Sequence, residues 1–214
     1  MILSPIDNER LPAVLDRFAA ALGEDGEPRM VFQRIAARHD AARARTDTAA
    51  RHHGEALDVL GGLGMALQRG APSLDFSWNG HVVRCDTEAY VLLHEAAHFQ
   101  LAAPARRRCI DFGLGPGPET GDRATAARAA RLAGLALERE EAMASLLGIL
   151  WEVELRHPAL ASFLDQNWLE GAERPAAAAH FRKVLAALKA GGFVTADGRP
   201  TRRLRDERDP VEAH

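Results

Sequence analysis

Two histidines stand four residues apart in "LLHEAAHFQL", with a glutamate directly after the first: His94, Glu95 and His98. On a helix of 3.6 residues per turn the two imidazoles share a face and can reach one cation. Glu95 points roughly a quarter turn aside, outside the ligand set, where hydrolases of this pattern keep their general base. Leu92, Leu93, Ala96 and Ala97 surround the pair with apolar surface, so the helix should be buried. There an unpaired histidine or glutamate costs about 1–3 kcal/mol in unmet hydrogen bonding, and a metal ion would satisfy the group. An HExxH arises by chance in roughly three of a hundred such chains, so its surroundings must carry the assignment.

Two imidazoles do not complete a site, and a third protein ligand is expected. "LALEREEAMASLLGILWE" offers Glu138, Glu140 and Glu141 on a later helix. Glu138 and Glu141, three apart, share a face, while Glu140 should point elsewhere. Leu135, Ala142 and Leu146 place Glu138 on an apolar stripe, where a bare carboxylate would be anomalous unless it bound something. Glu138 is therefore the first choice and Glu141 the substitute; a solvated acidic turn is the plainer reading. His52 and His53 lie in a polar helix and read as surface residues, whereas His39, His81, His157 and His180 are isolated.

The elements that must position these groups are mostly helical. Leu11, Val14, Leu15, Phe18 and Leu22 have helical spacing over 9–22, and residues 29–68 again read as helix, with a break at "GGLG" (61–64). "SLDFSWNGHVVRC" alternates around Asn79-Gly80, which predicts a hairpin pairing 74–78 with 81–85 through a type I′ turn. Asp86 should cap the HExxH helix, expected over 87–103. The irregular stretch 104–122 holds four glycines and three prolines and is a candidate active-site loop. A long helix follows from about Ala124 to Arg156, interrupted near Gly134 and ended by His157-Pro158, and two more helices come after it. The expected fold is mainly α, a single helical domain with one small β-hairpin before the HExxH helix. It divides into an N-terminal helical region (1–70), a metal-site core (71–193) and a flexible, charged tail (194–214).

The 214 residues carry a formal net charge of −3, which sets up no field toward nucleic acid or membrane. Cys85 and Cys109 form no CxxC pair, which fits a reducing compartment better than a disulfide framework. "MILSPIDNERLPAVL" lacks a basic segment followed by an apolar run, and no window approaches eighteen unbroken apolar residues. A cytoplasmic protein without nucleic-acid or membrane partners is expected; the oligomeric state is open.

The segment "LLHEAAHFQLAAPARRRCIDFG" resembles the elongation factor P hydroxylase family. The matching residues are Leu93, His94, Glu95, His98, Phe99, Ala105, Arg106, Arg107, Asp111, Phe112 and Gly113, at the family's spacing. A glutamate-bearing helix of the family falls on Glu138 after a short insertion, and a later "NLEG" is similar to "NWLEG" at 167–171. The resemblance spans about residues 90–171 and is dense only in its first third. It implies two histidines and a carboxylate (His94, His98 and Glu138) holding iron, with a modified lysine on a translation factor as the family's substrate. The chain departs from the family at "LGPGPETGDR" and in its first seventy residues, so the target itself is an open expectation.

Around the site, Arg106, Arg107 and Arg108 can bind an anionic cosubstrate or complement a helix C-terminus. Asp111 can orient a ligand histidine through its free ring nitrogen or cap the loop; Cys109 reads as core. Three functions follow: a hydroxylase with Fe(II) acting on a protein or peptide side chain; a Zn(II) hydrolase with Glu95 as general base and the hairpin edge as a peptide rest; or a non-catalytic helical metal-binding module.

Overall fold

The structure is a computed structural model describing residues 9–23, 26–38, 46–68, 75–118, 120–170 and 175–207. His39, Leu74, Glu119, Gly171 and the end of the tail (208–214), all touched by the expectations above, lie outside those residues.

The described residues form eight α-helices and a two-stranded sheet, a mainly α architecture. The helices are α1 (Leu11–Ala21), α2 (Glu27–Ala36), α3 (Thr46–Gly62), α4 (Ala89–Leu101), α5 (Arg123–Ala129), α6 (Gly134–Leu155), α7 (Ala159–Asp165) and α8 (Pro175–Ala190). Prolines open α1 and α2, where a missing N–H costs nothing. α6 is the axis: from Met143 to Val153 nearly every side chain is buried, so it is apolar all round rather than amphipathic. α4 lies along it, and α3 lies along α4. Phe18, Phe32, Phe163, Phe181 and Trp168 pack ring against ring and join α1, α2, α7 and α8 to the same core. Among the described residues no helix is long and apolar enough to cross a membrane.

The expected hairpin is replaced by something shorter. β1 (Ala66–Gln68) pairs in parallel with β2 (Val82–Arg84), and residues 66–68 had been expected to continue a helix. Antiparallel pairing is reduced to one bridge, Trp78 with Val83. The turn has moved by one residue: Asn79 N donates to Val82 O at 3.3 Å, with Gly80 and His81 between, and Asn79 Oδ1 accepts from His81 N and Val82 N at 2.9 Å each. Gly80 has φ +93°, and a Cβ there would sit 2.6 Å from the carbonyl oxygen of Arg108. The cause is competition for backbone groups. Asp75 O accepts from Gly121 N at 2.7 Å and Trp78 O from Asp111 N at 2.8 Å, so much of 75–78 is bonded to the glycine-rich loop.

Two further expectations are corrected. Asp86 does not cap α4; Glu88 occupies the cap without a side-chain bond, and Asp86 pairs with Arg84 at 3.2 Å. The charged tail is not loose over 194–207. Gln100, fully buried on α4, donates through Nε2 to Thr201 O (2.7 Å) and Arg203 O (2.9 Å), and its backbone carbonyl accepts from Arg205 N. A buried carboxamide requires partners, and the tail supplies them.

Candidate metal centre

α4 carries His94 and His98 one turn apart, their rings nearly perpendicular with centroids 4.6 Å apart. The two Nε2 atoms face each other at 3.0 Å. Across from them, near the start of α6, Glu141 brings Oε2 to 3.5 Å from His98 Nε2 and 3.7 Å from His94 Nε2. Ligands of one tetrahedral ion at bond lengths near 2.1 Å stand about 3.4 Å apart, so the three atoms fit a single divalent cation.

The carboxylate beside the imidazoles is therefore Glu141. Glu138, preferred from the sequence, is exposed and outside the group. The stripe that recommended it fails at Leu135, which is 83% exposed because α6 has not yet entered the core there. Glu140 is also corrected: it points inward. Its buried Oε1 lies 3.9 Å from His98 Nδ1, and its Oε2 is bonded by Arg106 Nη2. At that distance there is no hydrogen bond, and His98 Nδ1 and Glu140 Oε1 are both left without one.

The "ARRRCIDFG" segment supports this arrangement. Arg106 spans Glu140 and, through Nη1, the carbonyl of Phe112 at 3.2 Å. Arg107 donates Nε to Phe99 O at 3.0 Å and Nη2 to Arg205 O. Both guanidiniums thus have internal partners, which leaves little for an anionic cosubstrate. Asp111 and Phe112 adopt φ of 42° and 54°, left-handed values that cost a bulky residue free energy. Packing offsets the cost: the Phe112 ring stacks on Trp78 (5.6 Å, 8°) and on His98 (5.9 Å, 23°). Asp111 accepts from Trp78 N at 3.2 Å and Thr120 Oγ1 at 2.9 Å, so it caps the loop; the carboxylate facing the free nitrogen of His98 is Glu140. Cys109 is only partly buried and not core.

Electrostatics sharpen the picture. Burial pushes His94 down, toward the neutral ligand form. For His98 burial acts the same way, but Glu140 and Glu141 outweigh it and hold the ring protonated, up to about 10, in the metal-free protein. Burial would raise Glu141; the two imidazoles hold it well below the usual carboxylate range instead. Glu95 is pushed up to about 7, first by burial and then by the charges of Asp111 and Glu141, against the opposing pull of His98 and Arg84.

The remaining histidines divide. His81 and His180 are exposed, though the His180 ring stacks on Trp168 at 5.4 Å. His52 is buried, His53 is part-buried with its Nε2 2.7 Å from Cys85 O, and His157 is 1% exposed. Their expected surface or isolated status is corrected: α3 sets His52 against His157 and His53 against the Cys85 carbonyl. Compared with known protein families, curated proteins and solved structures, the chain matches none.

Proposed function

We propose that the chain is a metal-dependent hydroxylase of the oxygenase kind, with His94, His98 and Glu141 as ligands and a protein or peptide side chain as substrate. The observation that carries the reading is the convergence of His94 Nε2, His98 Nε2 and Glu141 Oε2. Two imidazoles and one carboxylate are the ligand set of non-haem iron oxygenases, where Fe(II) activates dioxygen at its open positions. The resemblance to the elongation factor P hydroxylases adds support beyond HExxH. Of the residues it shares, Phe112 stacks on His98 and Arg106 bonds Glu140, the carboxylate that faces the other side of the ring.

Glu140, fixed by Arg106, faces the Nδ1 side of His98, and Phe112, itself stacked on Trp78, covers that ring. Hydroxylation of a C–H bond takes one atom of dioxygen into substrate and the other into water. That consumes two electrons from an external reductant and two protons. Glu95, whose carboxyl burial raises in the metal-free chain, stands beside His94 and outside the ligand group, where a proton carrier would be needed.

The same property of Glu95 favours a second reading, a Zn(II) hydrolase in which this carboxylate is the general base. Elemental analysis of anaerobically purified protein, followed by oxygen uptake with a translation factor or peptide library as substrate, separates the two. Bound iron, oxygen consumption and a substrate mass gain of one oxygen atom support the hydroxylase. Zinc alone with peptide cleavage supports the hydrolase, and metal without either activity supports a non-catalytic module.

A further inference from the structure

A second group of metal-ligand side chains lies at the far end of α6. From Glu141 to the end of that helix is more than a dozen residues, about 20 Å at 1.5 Å each. His52 and Glu55, three apart on α3, share a face. His157 follows α6 directly, held there by the left-handed Arg156 (φ 61°) and by its own N–H bonded to Glu152 O at 2.8 Å. The imidazoles of His52 and His157 stack at 4.0 Å with a tilt of 31°, and His157 Nε2 is 2.8 Å from Glu55 Oε2. One donor atom from each of the three residues lies within 4.8 Å of the others.

A cation already sits against this group. Arg51 donates Nη1 to Glu55 Oε1 (2.9 Å) and Oε2 (3.2 Å), and Nη2 to His52 Nε2 (3.2 Å). A guanidinium only donates, so His52 Nε2 faces it with a lone pair, the form a metal needs. Arg51 is 55% exposed on a long stem and can swing into solvent. From this convergence we propose that His52, Glu55 and His157 form a second, independent site for a divalent transition-metal ion, with Arg51 as a displaceable occupant that weakens metal binding. Two nitrogens and one carboxylate oxygen suit Zn(II), Co(II) or Ni(II), and disfavour Ca(II) and Mg(II), which select all-oxygen shells.

The test is Zn(II) stoichiometry by elemental analysis after dialysis, on full-length chains checked for helicity by circular dichroism. Wild type should retain two ions, H94Q/H98Q one, H52Q/H157Q one, and the fourfold variant none. If H94Q/H98Q retains none, or H52Q/H157Q retains as much as wild type, the second site is overturned whatever becomes of the first. Should H52Q/H157Q fail to fold, R51A and E55Q in the H94Q/H98Q background decide the matter by calorimetric titration with Zn(II). R51A should bind roughly tenfold tighter, the effect of removing one competing charged donor, and E55Q more weakly. Unchanged affinity in both overturns the proposal.

Discussion

The Cα of His94 on α4 lies 3.2 Å from the position a Cβ would take on Gly148 of α6, and the His94 nitrogen lies 3.3 Å from it. Both neighbours are backbone, which cannot rotate away. Gly148 therefore sets how closely α4 and α6 approach, and through that how near Glu141 comes to the imidazoles. Gly148→Ala should cost about 1–3 kcal/mol, the usual penalty for overpacking a filled core. It should also weaken metal retention at His94, although no ligand is altered. Urea unfolding and metal content measured together check this; a stable variant with unchanged metal would show that the spacing has slack.

The identity of the carboxylate ligand gives a second prediction. Glu141→Ala should release metal from the His94–His98 pair, while Glu138→Ala should leave it in place, because Glu138 is exposed and outside the group. Equilibrium dialysis of both variants in a H52Q/H157Q background reads this site alone. Loss of metal in the Glu138 variant alone would return the assignment to the residue the apolar stripe favoured.

That stripe shows what the sequence could and could not say. The spacing of His94 and His98 is a local property, so one helix suffices to bring them together, and the mainly α architecture followed from periodicity in the same way. Choosing among Glu138, Glu140 and Glu141 required the rotational phase of α6. A helix buried on all sides from Met143 to Val153 has no polar stripe from which to read it. The Asn79-Gly80 hairpin failed because 75–78 bond to a distant loop instead. The His52–His157 contact joins residues over a hundred positions apart, and only the packing of α3 beside the end of α6 creates it.

Arg106 and Glu140 form a largely buried pair, with 12% and 8% of their side chains exposed. Removing the arginine leaves a carboxylate in the core without its counter-charge. Arg106→Met should therefore destabilise the fold by about 3–5 kcal/mol. Adding Glu140→Leu should recover most of that loss, since no charge is then buried alone. Even so, the double variant should hold its metal less tightly, because no carboxylate would then face His98 Nδ1. Chemical denaturation and metal affinity on the two variants distinguish the structural role of the pair from its service to the site; if the double variant regained both, the pair would be structural only.

Glu95→Gln should keep its metal, since the residue lies outside the ligand group. Its effect on turnover separates the two catalytic readings. A hydrolase would lose nearly all activity with its general base, whereas a hydroxylase needs only a proton carrier there and should slow modestly.

The last prediction concerns stability in acid for chains stripped of metal. Burial pushes His157 down to about 4 from the ordinary 6.5, and the charges of His52 and Arg51 add to this while Glu55 opposes it. Between those two values the unfolded chain binds a proton that the folded chain refuses. Stability from this residue is therefore complete above pH 6.5 and drains away as pH falls toward 4. Glu55, lowered by His157 and Arg51 against the burial that would raise it, extends the same trend below pH 4.5. Glu95 and His98 titrate in the opposite sense, so a single pH curve would blur the effect. The difference between wild type and His157→Gln cancels those shared contributions. Urea midpoints of the two chains should converge as pH drops from 6.5 to 4, and a constant gap across that window would mean that His157 is not held neutral by its surroundings.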